Sequence, residues 1–299
     1  MSSLDFHADD YATSPQADKD FIELLGQGRL DSFSIMPNMS CWDQSLALYK
    51  KKLPSFPFVP KISIHLNFME GHACADPLSI PLLVDANGIF KLSWGDLFKI
   101  SLLGSKVRKL ALKRQLMLEI IAQTQKVISS GMVNIHKLRF DSHQHTHMIP
   151  LVFDALLAAI DQEQYEVEYI RNSVDPLSLY VRYPHLYTSY SGINIIKCCL
   201  LNYYARRVAK LNQEHHLPTN ILCGVMFSGK MDLLRLRQVI DGFSTRSQKK
   251  QCVAEILFHP GMSVPDEIGS EFSKQGFIDF HLSKNRHIEK YALQNRADI

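Results

Sequence analysis

Short runs that read as β-strands alternate with amphipathic helices along the chain, and this alternation limits the fold more than any other feature. The first run, residues 4–9, places Leu4, Phe6 and Ala8 on one face and Asp5, His7 and Asp9 on the other. Further strand runs are read at 32–36, 61–68, 135–140, 169–172, 223–227 and 253–258. Helical periodicity is read at 18–26, 43–51, 110–130, 150–164, 189–212, 232–241 and 285–292. The clearest helix is 110–130, where Met117, Ile120, Ile121, Thr124, Val127 and Ile128 recur at three- and four-residue spacing and Gly131 stops the run. Strands joined through helical crossovers run parallel, so the pattern predicts an α/β parallel sheet, open or closed into a barrel. Residues 74–98 show little periodicity, carry Pro77, Pro81 and Asn87-Gly88, and read as one long loop.

The residues able to do chemistry gather at or just past the ends of these strands. Asp9 and Asp10 end the first, and adjacent carboxylates there call for a cation or a proton-transfer role. In 61–68, Ile62, Ile64, Leu66 and Phe68 share one face while Ser63, His65 and Asn67 share the other. Asp141-Ser142-His143-Gln144-His145-Thr146-His147 follows the fourth strand run. If that stretch stays extended, Asp141, His143, His145 and His147 point the same way. Imidazole and carboxylate are common ligands of zinc and similar divalent ions, and a histidine-rich surface loop is the ordinary alternative. Arg171 ends the fifth run and can pair with Asp9; His259 ends the last, in His259-Pro260-Gly261. Active sites of parallel α/β folds are built at this end of the sheet. His7, His72 and His136 are read as ordinary hydrogen-bonded residues. Tyr11, Trp42, Trp94 and Tyr187 are candidate sugar platforms, although core packing is the commoner use of each.

Composition excludes several other classes. With 33 Lys and Arg against 30 Asp and Glu, the formal net charge of +3 is too small to indicate nucleic acid or an anionic membrane as partner. The most apolar segment, 193–204, is interrupted by Lys197 and is too short to span a bilayer. The N-terminus has no basic, then apolar, leader pattern. Six cysteines form no CxxC pair, and the adjacent Cys198 and Cys199 read as buried thiols. These features together predict a soluble cytoplasmic protein.

Ala8-Asp9-Asp10-Tyr11, His65-Leu66-Asn67 with Glu70-Gly71, the Asp141–His147 stretch, Phe227-Ser228-Gly229, His259-Pro260-Gly261 and the late Arg286 with Glu289 occur in an order that resembles the YdjC/ChbG-like carbohydrate deacetylases. Those enzymes remove acetyl groups from chito-oligosaccharides. The resemblance implies one domain over 1–299, a (β/α) barrel with fewer than eight complete units, with a helical segment at about 180–218 that matches nothing in the family pattern. It implies a divalent ion held by Asp10, His65 and His143, magnesium by resemblance and zinc by donor chemistry. It further implies Asp9 as catalytic base, His259 as acid or transition-state stabiliser, and an N-acetylated oligosaccharide as substrate. Asp141, His145, His147 and Arg171 are then expected to support the ligands or line the sugar site. Another metallohydrolase on a similar barrel, or a non-catalytic sugar-binding relative, stays open, and a homodimer is the commonest symmetric assembly. Two departures stand out: Ala12 replaces a glycine usual after the first motif, and Asp18 or Asp20 stands near the place of an expected asparagine.

Overall fold

A computed structural model of the protein describes residues 4–269, 272 and 274–296. Seven strands, β1 Leu4–Tyr11, β2 Ser32–Ile35, β3 Lys61–Leu66, β4 Leu138–Ser142, β5 Val167–Ile170, β6 Asn220–Cys223 and β7 Val253–Phe258, form one sheet in the order β5-β4-β3-β2-β1-β7-β6. Every strand pairing is parallel. The helices are α1 Pro15–Gly26, α2 Trp42–Lys52, α3 Trp94–Leu103, α4 Lys106–Ser129, α5 Pro150–Glu163, α6 Leu177–Tyr180, α7 Gly192–Glu214, α8 Leu233–Lys250, α9 Gln275–His281 and α10 Asn285–Gln294. The sheet curls into a barrel-like shape with fewer than eight units, as expected. Past the end of β5 the chain reaches across to the other edge strand, β6: the Asn172 N–H donates to Asn220 Oδ1 (2.8 Å), Asn220 Nδ2 donates to the Asn172 carbonyl (3.1 Å), and the Leu222 N–H donates to the Val174 carbonyl (2.8 Å).

Alternation along each strand separates two interiors. Ala8, Phe33, Ile35, Ile62, Ile64, Phe140, Ile170, Leu222, Ile256 and Phe258 are buried in the main apolar core. The opposite face supplies Asp5, His7, Asp9, Ser32, Ser34, Ser63, His65, Arg139, Asp141 and Glu255, all buried. Burying this many polar groups is tolerable only when they satisfy one another. The registers arrange that: His7 lies beside Ser32, and His65 beside Asp141.

Some element boundaries differ from the sequence reading, for local reasons. The stretch 74–98 is not one loop, because α3 starts at Trp94 behind a capping box made by Ser93 and Asp96. Residues 135–137 lie in a turn closed by Lys137 N–H to Asn134 carbonyl, so β4 starts at Leu138. β6 ends at Cys223 rather than continuing to 227. The Asp175 carboxylate accepts the N–H groups of Gly224 (3.4 Å) and Met226 (3.1 Å), drawing the backbone off the ladder. The segment 180–218 is mostly α7, anchored to the exit of β5 by Asn202 hydrogen bonds to both backbone groups of Asp175 and by Asn212 Nδ2 to the Ile170 carbonyl (3.0 Å). Cys198 is buried and Cys199 is exposed, which corrects the expectation that both are buried. Among the described residues, no helix is long and apolar enough to cross a membrane.

Candidate metal centre

Asp9 and Asp10 are neighbours on β1, so in a regular strand they would face opposite ways. The pairing of β1 with β2 slips between Ala8 and Tyr11, and Asp10 has φ 74°. This bulge turns Asp10 to the same end of the barrel as Asp9. Re-aiming a side chain is a common use of such irregularities beside active sites. Ala12 follows with φ 73°, so the left-handed turn that usually carries glycine is kept with an alanine. Its N–H donates to Asp18 Oδ1 (2.8 Å), which pins the turn to α1.

Asp10, His65 and His143 meet at this end, with one donor atom from each lying within 4.8 Å of the other two. Asp10 Oδ1 lies 3.2 Å from His65 Nε2 and 3.0 Å from His143 Nδ1. His65 Nδ1 is 2.7 Å from Asp141 Oδ1, which fixes the ring so that Nε2 faces Asp10. A carboxylate behind an imidazole in this way orients a metal ligand and raises its basicity. Burial opposes charge on His65, but Asp9, Asp141 and Asp10 together overcome it and raise its pKa to about 10. Burial also opposes charge on Asp10, yet His143 and His65 hold its carboxyl well below the usual range. The cluster thus draws positive charge to Asp10. Asp10 Oδ2 and His143 Nε2 are buried without a hydrogen-bond partner, so the residues fit a divalent cation by donor type and by open valence.

A second group, His7, Asp9 and Asp141, has comparable spacing. Here the cation is a side chain. The Arg171 guanidinium reaches Asp9 through two bonds (2.9 and 2.8 Å), Asp141 Oδ2 at 2.8 Å and Glu255 Oε1 at 2.6 Å, and is itself fully buried. Against the opposing effect of burial, Arg171 and His65 hold Asp9 well below the usual carboxylate range. The pairing of Arg171 with Asp9 expected from sequence is therefore present, with two further carboxylates added. His7, to which the sequence reading gives no part in the site, braces it. Its Nδ1 is 2.6 Å from Ser32 Oγ and its Nε2 is 2.6 Å from Ser34 Oγ and 3.1 Å from Asp9 Oδ1. The signal for this was present, since His7 alternates with Asp5 and Asp9.

The Asp141–His147 stretch does not stay extended, and this corrects the expectation that its histidines share one face. β4 ends at Ser142, and 143–148 is a tight turn in which Gln144 and His145 take left-handed φ of 53° and 55°. His143 turns toward Asp10. His145 turns away, with Nδ1 2.9 Å from Ser173 Oγ. His147 has both nitrogens engaged, Nδ1 at 2.5 Å from Ser142 Oγ and Nε2 at 2.9 Å from the Arg171 carbonyl. Burial lowers the His147 pKa to about 4, so it serves as a neutral brace. The His259 ring, just past β7, rests edge-on against Phe280 (5.1 Å), and the His259 backbone N–H donates to Glu289 Oε2 (2.5 Å). Among the aromatic candidates, Tyr11 is buried with its hydroxyl donating to the Ser45 carbonyl (2.8 Å), and Trp42 is buried beneath Lys126.

Sequence reasoning missed His281 altogether. It ends α9, is buried, and brings Nε2 to 3.6 Å from Asp10 Oδ2. Its only sequence cue was its four-residue spacing from Phe277, in a stretch where no helix is read.

Comparison with known proteins adds three findings. The chain matches the family model described as YdjC-like protein over residues 3–297. It is 31% identical over 157 residues to a protein named carbohydrate deacetylase from Thermoanaerobacter pseudethanolicus, covering 52% of this chain and 56% of that one. The chain therefore spans about half the length of that relative. The crystal structure of a candidate cellobiose-phosphate cleavage protein from Enterococcus faecalis V583 superposes with TM-score 0.59 and 18% identity, covering 98% of this chain and 94% of the other. That likeness concerns the fold.

Proposed function

Because the chain belongs to the YdjC-like family, we propose that it is a metal-dependent carbohydrate deacetylase, a hydrolase that removes acetyl groups from N-acetylated sugars such as chito-oligosaccharides. The observation that carries this reading is the meeting of Asp10, His65 and His143, with unfilled donor atoms, beside a separately ionised Asp9. The name of the Thermoanaerobacter relative supports the same activity.

An amide is a poor electrophile and neutral water a poor nucleophile. A divalent ion, when bound, polarises the carbonyl and lowers the pKa of water. Asp10, His65 and His143 would hold it, and Asp141 would keep His65 in the ligating orientation. Asp9 would take the proton from the attacking water. Arg171 keeps Asp9 ionised at any working pH, and the same contacts make it a weak base that soon gives the proton up. His259 would return a proton to the departing amine, so that water and amide yield acetate and an ammonium group with no net loss of protons. Two adjacent acids can divide the work because their surroundings differ: one faces a guanidinium, the other faces imidazoles with open valence.

The test is acetate release from a panel of short chitin fragments by the metal-loaded protein, repeated with Asp9→Asn and His143→Ala. Release abolished by either substitution is the expected result. No acetate from any acetylated sugar would sink the reading, and turnover of phosphate esters instead would point to another metallohydrolase.

A further inference from the structure

We propose that the turn between α3 and α4, with the neighbouring face of α7, forms a peripheral docking surface for an anionic lipid bilayer, at the same end of the barrel as the candidate metal centre.

The first argument is charge and exposure. The formal net charge of +3 averages over an uneven distribution. Residues 97–118 carry six Lys and Arg, residues 176–213 carry five, and neither stretch contains an Asp or Glu, so the rest of the chain is net acidic. In these same stretches large apolar side chains stand in water: Leu103 is 79% exposed, Val107 78%, Leu110 60%, Ile196 68% and Tyr203 69%. Lys99, Lys106, Arg108, Arg114, Lys197 and Arg206 are exposed beside them. Single exposed leucines are ordinary, whereas a cluster edged by one sign of charge marks a binding surface. On α7 the exposed Ile193, Ile196 and Tyr203 recur at helical spacing, so they form one stripe.

The second argument is that the fold joins the two stretches. Phe98 of α3 meets Tyr204 of α7 edge-on (5.8 Å) and stacks on Trp94 (5.0 Å). Both helices are tied to the start of α5: Ser101 Oγ accepts the Leu151 N–H (3.1 Å), and Arg207 Nη1 donates to the Pro150 carbonyl (3.4 Å). α5 begins directly after the turn that carries His143, at the strand-exit end of the barrel. α4 and α7 lead back into the parallel strands β4 and β6, so their first halves lie at that end too. The contact is peripheral, because the other faces of these helices are buried in the fold through Leu112 and Leu116 on α4 and Cys198, Leu201 and Ala205 on α7.

The third argument is complementarity. An anionic bilayer offers acidic headgroups to the Lys and Arg side chains and an acyl boundary to the leucines, valine and isoleucines. A second copy meeting through the same patch would set cation against cation. Single-stranded nucleic acid is held by stacking on aromatic rings, and the exposed apolar side chains here are mainly aliphatic.

The test is flotation of the full chain with vesicles of phosphatidylcholine alone and of phosphatidylcholine mixed with phosphatidylglycerol. Binding to the mixed vesicles only is expected, weakened at least about tenfold when salt rises from about 0.05 to 0.5 M. Lys106→Ser/Arg108→Ser/Arg114→Ser should weaken it about a hundredfold, at about fivefold for each cation. Leu103→Asp/Val107→Asp should abolish it. Lys249→Ser/Lys250→Ser, in the exposed last turn of α8, removes charge at the opposite end and should leave binding unchanged. No binding to the mixed vesicles, equal binding to neutral ones, or an equal loss in the α8 variant overturns the proposal. A dimer that Leu103→Asp/Val107→Asp splits, without vesicle binding, assigns the face to a second copy and overturns it as well.

Discussion

Asp18 offers the sharpest quantitative test of how this site is supported. It is buried in the first turn of α1, accepts the Ala12 N–H through Oδ1, and leaves Oδ2 without a partner. Among the described residues no cation pairs with it. Burial, with a small addition from Glu267, raises its pKa to about 7 in spite of the nearby Ser45 hydroxyl and the hydrogen bond from the Ala12 N–H. When protonated it presents one acceptor and one donor, the polar face of the asparagine expected near this position. An unfolded aspartate ionises near pH 3.9, so between about pH 4 and 7 the folded protein holds a proton that the unfolded chain releases. Stability therefore falls as pH rises through that window, and the contribution of this proton is gone above pH 7. At about 1.4 kcal/mol for each tenfold change in proton affinity, the gap amounts to about 4 kcal/mol at pH 8. Asp18→Asn keeps the acceptor for Ala12 and removes the titration. Urea unfolding of both proteins at several pH values should show the variant more stable at pH 8, with an advantage growing by about 2–3 kcal/mol between pH 5 and 8. An advantage that is flat or shrinks over that range would refute the reasoning.

Two further substitutions test the frame around the site. Gly261, after His259 and Pro260, has φ 94°, and a Cβ there would lie 2.7 Å from the Ala17 carbonyl oxygen on α1; Gly261→Ala should lower unfolding free energy by about 2 kcal/mol or more, and a loss under about 0.5 kcal/mol in urea would contradict the close approach. Arg171→Met leaves Asp9, Asp141 and Glu255 buried without their shared cation; a loss of about 3–5 kcal/mol is expected, partly recovered by adding Glu255→Gln, and a double variant no better than the single would argue against the shared role.

Much of this was legible because strands report their faces. Asp5, His7 and Asp9 alternate against Leu4, Phe6 and Ala8, and the structure keeps that division with one face polar and the other apolar. The placement of Asp9, Asp10, His65, Arg171 and His259 at strand exits is likewise a property of sequence order. What could not be read was backbone handedness. Gln144 and His145 take left-handed conformations that scatter three histidines which extended chain would align. The bulge at Asp10 does the opposite and brings two carboxylates to the same end. Local propensity does not encode either choice; both follow from where β4, β1 and their neighbours lead the chain. His281 was hidden for a related reason, since a seven-residue helix has too few turns to show periodicity.

The two polar clusters of the barrel share members but answer different demands. Asp141 joins them: one oxygen holds His65, and the other accepts from Arg171. A single buried cation, Arg171, is shared by the three carboxylates that face it and offsets part of their charge. Among the described residues Asp10 makes no direct ion pair with an arginine or lysine; its neighbours are His65, His143 and His281, and Arg286 acts on it only from farther off. A buried carboxylate surrounded by imidazoles, some of whose donor atoms lack partners, is compensated only if protons or a metal ion supply positive charge. The permanent guanidinium therefore stiffens one half of the site, and the other half is built to accept an exchangeable charge. This division explains why Asp9 and Asp10, adjacent in sequence and alike in burial, are suited to different tasks.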